Sequence, residues 1–240
     1  MGIMADSRAQ DGAALEAVAR HFSAGRKALA PRAGGACLEL DARRIALEIA
    51  TIRAKIIARA PLKAPRLRLD RVALRLMRDL QAALRESVPA HQTLIITITA
   101  PIRMASRTVA ALVEEIGRPL ARRHARLDMS GTIHENQIQA RLVNDICGRA
   151  SKVITFVHNP DSDPEVLFDV AEILLRTIGS AVARAVPKGA PKARWLVIAD
   201  ETGLAHAATY RQVCGQLAIP TGFEKILLVS AGGRVETLAG

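Results

Sequence analysis

Read as a pattern of apolar and polar positions, the chain changes character near residue 90. Before it, the spacing is helical. Ile45, Ile49, Ile52 and Ile56 recur every three or four residues, and Asp41 stands where an N-cap would, which predicts a helix over 41–59 ended by Pro61 and Pro65. A second helix is predicted over 70–87. Asp70 is its cap, and Ala73, Leu76, Met77, Leu80 and Leu84 form one apolar face. Arg71, Arg75, Arg78 and Arg85 fall within about 80° of one another on the opposite face. Two helices joined by a Pro-containing link suggest a basic helical hairpin over 37–90. Residues 1–36 carry one short apolar pattern (Leu15, Val18, Phe22) and a linker-like Pro31-Arg-Ala-Gly-Gly, so a weakly packed, flexible N-terminal segment is expected.

After residue 90 strands and helices alternate. Thr93–Ala100 is β-branched and ends at Pro101. A helix follows from the capping candidate Ser106, with Gly117 and Pro119 expected to break or kink it. Strict alternation over 126–133 and 137–143 places Leu127, Met129 and Ile133 on one side with Ile138, Ala140 and Leu142. Asp128, Ser130, Thr132, Gln137, Gln139 and Arg141 fall on the other, which predicts an antiparallel hairpin with a wet face. Then come a strand at 152–158 and a long helix at 164–186 with Asp163 as cap and Pro164 as first helical residue. A strand at 195–199, a helix at 206–217 and strands at 225–229 and 235–238 complete the chain. The expected class is α/β or α+β: a mixed sheet with packed helices over 91–240, behind the Arg-rich hairpin.

From residue 106 the order helix, three strands, helix, strand resembles the core of the restriction-endonuclease-like fold. The resemblance is of element order alone. That family's chemistry needs an Asp followed by an acidic-x-Lys pair on a neighbouring strand. Asp128 is present, but the next strand reads Gln137-Ile-Gln-Ala-Arg141, so no catalytic residue carries over.

Composition sharpens the functional picture. Aromatic residues make up 2% of the 240, so the core must be aliphatic and aromatic platforms for single-stranded nucleic acid are disfavoured. The net charge is +11, and residues 53–85 hold ten basic side chains against Asp70 and Asp79. Such a concentration is the footprint expected for a polyanion. Arg66, Arg68, Arg71, Arg75, Arg78 and Arg85 are the candidate nucleic-acid contacts, since guanidinium groups grip phosphate through paired donors. A solvated or internally paired face would also account for them. The predominance of Arg over Lys, with abundant Ala, matches GC-rich bacterial residue usage.

The acidic loop from His158 through Asp161 and Asp163 to Glu165 follows one strand, and Asp200 and Glu201 end another. If those strand ends are neighbours, Asp161, Asp200 and Glu201 would hold Mg²⁺ for metal-assisted phosphodiester hydrolysis. Ordinary turn and capping chemistry explains the same residues. Cys37, Cys147 and Cys214 have no paired spacing, and no GxSxG, Walker A or HExxH motif occurs. With no apolar leader after the first Met, a cytoplasmic, non-membrane protein is expected. The leading expectation is thus a polyanion-binding protein associated with nucleic acid. The alternative is a non-enzymatic assembly module whose N-terminal helices form a homo-oligomer.

Overall fold

The computed structural model describes residues 2–22, 29–32, 35–52, 66–121, 126–184, 186, 189 and 191–240. Helix α1 (Gly2–His21) is followed by strands β1 (Leu29–Arg32), β2 (Gly35–Leu40) and β3 (Arg43–Ile52), and then by helix α2 (Arg71–Leu84). Strand β4 (Gln92–Thr99), helix α3 (Ala105–Leu120) and strands β5 (Asp128–Ile133), β6 (Asn136–Asn144) and β7 (Val153–His158) come next. The chain ends with α4 (Pro164–Ala183), β8 (Ala193–Asp200), α5 (Ala207–Leu217), β9 (Lys225–Ser230) and β10 (Val235–Ala239). The α/β class with helices packed on mixed sheets is what the pattern predicted. The strands, however, divide between two sheets, in the orders β1-β2-β3-β8-β9-β10 and β5-β6-β4-β7.

The chain separates into two compact units, Met1–Ala58 with Thr177–Gly215 and Thr221–Gly240, and Arg59–Arg176 with Gln216–Pro220. This differs from the expected division at 36 and 90. The first unit holds the six-stranded sheet. There β3 runs antiparallel to β2 and parallel to β8, so Arg43–Ile52 is an inner strand and not the helix predicted over 41–59. The apolar residues of this stretch fit both periods. Ile45, Leu47 and Ile49 alternate as well as Ile45, Ile49 and Ile52 recur, and β-branched Ile favours the pleated choice once neighbours exist on both sides. Ile56 lies outside the described residues. There is accordingly no helix at Arg43–Ile52 to pair with α2 in a hairpin, and Ile45 and Ile52 are buried in their own chain and cannot form an oligomer face. The N-terminal segment is also better packed than expected. Ala14, Leu15, Ala17, Val18 and Ala19 join a core with Leu38, Leu47, Trp195 and Leu227, because small residues let the helix lie close on the sheet.

In the second unit, α2 and α3 lie on one face of the four-stranded sheet. Leu76, Leu80 and Leu84 of α2 and Leu112 and Ile116 of α3 meet Leu94, Ile96 and Ile98 of β4, Ile138 and Ala140 of β6, and Val153 and Val157 of β7. Asp70 caps α2 as predicted, its Oδ1 accepting from the Ala73 N–H at 3.0 Å. The cap of α3 is instead Met104 in a left-handed conformation, so Ser106 is already helical. Pro119 sits in the last turn of α3, where too little helix remains for a kink to show.

The predicted hairpin β5–β6 forms, but its loop is two residues, His134-Glu135 at φ 47° and 63°, and Asn136, outside the strand expected at 137–143, opens β6 opposite Ile133. Both central residues at positive φ match the twist of the strands. Asn136, 1% exposed, locks this corner: its Oδ1 accepts from Arg103 N at 2.7 Å and its Nδ2 faces Arg103 O at 2.9 Å and Thr108 Oγ1 at 3.0 Å. The hairpin is separated from β7 by β4, and β8 belongs to the other sheet. The element-order resemblance to the restriction-endonuclease-like core therefore does not extend to the topology. No helix among the described residues is long and apolar enough to cross a membrane.

Candidate functional site

Alternation decides what the second face of the four-stranded sheet carries. Because Leu94, Ile96 and Ile98 point to α2 and α3, Thr97 and Thr99 point the other way. Across the sheet, Ser130 of β5 pairs with Gln139 of β6, which pairs with Thr97 of β4. In the adjoining row Thr132 pairs with Gln137, and Thr99 stands beside His158 of β7. Two rows of polar side chains thus cross the sheet, and they line a cleft of about 270 Å³ bounded by Pro160, Ser162 and Pro164. The wet face read from the hairpin and the His158 loop, two separate features in the sequence, meet here.

A third row adjoins these two on the sheet. Asp128 pairs with Arg141, whose Nη2 donates to Glu165 Oε2 at 3.3 Å and whose guanidinium lies 4.6 Å from the ring centroid of Phe168. Burial disfavours the charge on Arg141, but Glu165 and Asp128 more than offset it and raise its pKa. Arg141 is therefore bound to α4 and is not offered to a base edge.

His158 is 2% exposed. Its Nδ1 lies 2.9 Å from the Asn159 carbonyl oxygen, which fixes Nδ1 as the protonated nitrogen of the neutral ring and leaves Nε2 as an acceptor. Burial lowers its pKa below 6.5, against the pull of the Asn159 carbonyl and Asp163. Gln139 Oε1 is buried without a hydrogen-bond partner. Ser162, on the rim, accepts from the Arg66 N–H at 3.0 Å, while Arg68 N donates to Val157 O at 2.7 Å, so residues 66–68 run along the edge of β7.

Of the arginines, Arg71, Arg75 and Arg78 belong to α2 and Arg85 to its C-cap, whereas Arg66 and Arg68 belong to the segment beside β7. Arg66, Arg68, Arg71, Arg75, Arg78 and Arg85 are all exposed, and the last four share the outer face of α2. Arg68 pairs with Asp70 at 3.1 Å and Arg85 with Glu86 at 3.1 Å, while Arg75 and Arg78 both lie 3.7 Å from Asp79. The Arg75 and Arg78 side chains remain 73% and 75% exposed. Arg66 and Arg71 have no carboxylate partner among the described residues. Residues 66–86 hold six arginines against Asp70, Asp79 and Glu86, so the segment keeps a net positive charge. Glu165, in the first turn of α4, is engaged by Arg141.

The acidic trio divides. Asp161 follows β7 in the four-stranded sheet, whereas Asp200 and Glu201 follow β8 in the six-stranded one. The strand ends are therefore not neighbours in one sheet, the condition on which the Mg²⁺ expectation stood. Asp200 Oδ1 is taken up locally, accepting from Thr202 N at 2.8 Å and Thr202 Oγ1 at 2.6 Å. No group of three His, Cys, Asp or Glu side chains among the described residues is placed to hold a metal ion. Of the cysteines, Cys214 has its thiol pushed up to about 11 by burial, and burial also raises Cys147. Neither is an activated nucleophile.

Compared with known proteins, the chain matches no protein-family model, no curated protein and no solved structure.

Proposed function

We propose that the protein binds nucleic acid through the outer face of α2, gripping the phosphate backbone of a duplex without reading its bases. The observation that supports this reading is the exposure of Arg71, Arg75, Arg78 and Arg85 along one helical face, opposed only by acids of the same short segment. Those ion pairs are solvent-exposed, and two are 3.7 Å long. Exposed pairs of this kind contribute about 0–1 kcal/mol and are screened by salt, so a phosphate competes with them readily. The leucine face of α2 is consumed by the core, which leaves outward the arginine face with half-exposed Val72 and Leu74 beside it.

The test is fluorescence anisotropy with a labelled DNA duplex between 50 and 200 mM salt. With three or four phosphates contacted, affinity falls by about two decades over that range. The triple substitution R71A/R75A/R78A removes most of the binding and flattens the salt dependence by about three phosphates. Binding that ignores salt, or that survives the triple substitution, refutes the reading. So does capture by anionic phospholipid vesicles without capture of the duplex.

A further inference from the structure

We infer that the cleft on the second face of the four-stranded sheet is a binding site for an uncharged nucleoside. It lies on the opposite face from α2 and does not depend on the nucleic-acid reading. Among the described residues its lining contains no charged side chain. Asp161 and Asp163 alternate with the lining residues Pro160, Ser162 and Pro164, a setting that disfavours an anion, so the ligand's buried part is neutral.

The shape is that of a flat ligand. Neighbouring strands are about 4.8 Å apart and alternate residues along a strand about 7 Å, so the two rows offer hydrogen-bonding groups over a plane of roughly 14 by 7 Å. Pro160 and Pro164 border that plane, and their apolar rings can pack against a planar ring. The volume of about 270 Å³ admits a base with its sugar.

The chemistry agrees. Gln137 and Gln139 each carry a carbonyl and an amide side by side, the donor–acceptor pair that matches the edge of a base. Gln139 Oε1 is buried and unpartnered, and such a group costs about 1–3 kcal/mol unless a donor reaches it. The exocyclic amine of adenine or cytosine supplies one. The Nε2 of His158 offers a second acceptor on the far side of the same rows. The hydroxyls of Thr97, Thr99 and Ser130, each both donor and acceptor, suit the sugar. Adenosine and cytidine should therefore bind better than uridine, whose corresponding position is a carbonyl.

Ligand-observed NMR and calorimetry on the full chain test this with adenosine, cytidine, guanosine, uridine and methyl glucoside. The expected result is saturable binding of adenosine or cytidine, at least tenfold weaker uridine binding, and none of the glycoside. Gln139→Met and the near-isosteric Thr97→Val each weaken binding about tenfold while the circular dichroism spectrum is retained. R71A/R75A/R78A binds the nucleoside as the parent does. Absence of binding by any nucleoside, equal binding of the glycoside, or unaltered affinity in both folded cleft variants overturns the inference.

Discussion

At the scale of single residues, His158 joins the second face of the four-stranded sheet to the loop that follows β7. In the sequence it adjoins an acidic loop and suggests a metal partner. In the fold it is the end of a polar row whose other members, Thr99, Gln137 and Thr132, lie 21 or more residues away in sequence, on β4, β6 and β5. Asn136 was legible only as part of a turn, since nothing local reveals that its amide would reach back to Arg103 and Thr108. Burial keeps His158 neutral and gives a testable consequence. Its folded pKa lies below the 6.5 of the free side chain, so below that pH the unfolded chain takes up a proton that the folded chain refuses. Stability present above pH 6.5 is therefore lost as pH falls towards the lowered folded pKa. Unfolding free energies from urea titration of the parent protein should drop between pH 7 and 5.5 by at most about 1.4 kcal/mol per pH unit from this group, and those of His158→Gln should drop less. Parallel pH profiles for the two proteins would show that His158 titrates normally.

At the scale of elements, period and caps carried most of the information. The Asp70 cap, the leucine face of α2, the wet-and-dry hairpin and the start of α4 at Pro164 were all legible. What failed was Arg43–Ile52, where a helical and a pleated spacing share the same isoleucines and only the presence of β2 and β8 decides between them. The arginine face could be located from spacing, but not its pairing. Asp79 lies between Arg75 and Arg78 at 3.7 Å from each, and so subtracts charge where a phosphate would dock. Asp79→Asn should thus strengthen duplex binding about threefold at low salt, the equivalent of one weak exposed ion pair released, with the unfolding free energy unchanged within about 0.5 kcal/mol. Anisotropy titrations at 50 mM salt measure it. Weaker binding of that variant would mean that Asp79 orients the guanidiniums and does not merely oppose them.

At the scale of the whole molecule, the sequence order of strands could not reveal two sheets. Crossovers and hairpins limit which strands can be neighbours, but β3 pairs with β8 across more than a hundred residues. That pairing is also why the acidic residues after β7 and β8 follow strands of different sheets. The division into two units has an unusual property: it falls inside helices, between Arg176 and Thr177 of α4 and between Gly215 and Gln216 of α5. Domain boundaries generally lie in exposed linkers where little structure is interrupted. A helix propagates cooperatively, so loss of one half of α4 removes hydrogen bonds from the other. The two units should consequently unfold together. Trp195, the one tryptophan, is 4% exposed and 4.8 Å from the Phe22 ring, so its fluorescence reports the first unit alone. Leu80→Ala, a core truncation in the second unit, should cost about 3–5 kcal/mol. If α4 couples the units, that distant change lowers the urea midpoint seen by Trp195 as much as the midpoint seen by far-UV circular dichroism, and the two transitions coincide. A Trp195 transition left in place while the helical signal shifts would show two independently folding units that share a helix only in sequence.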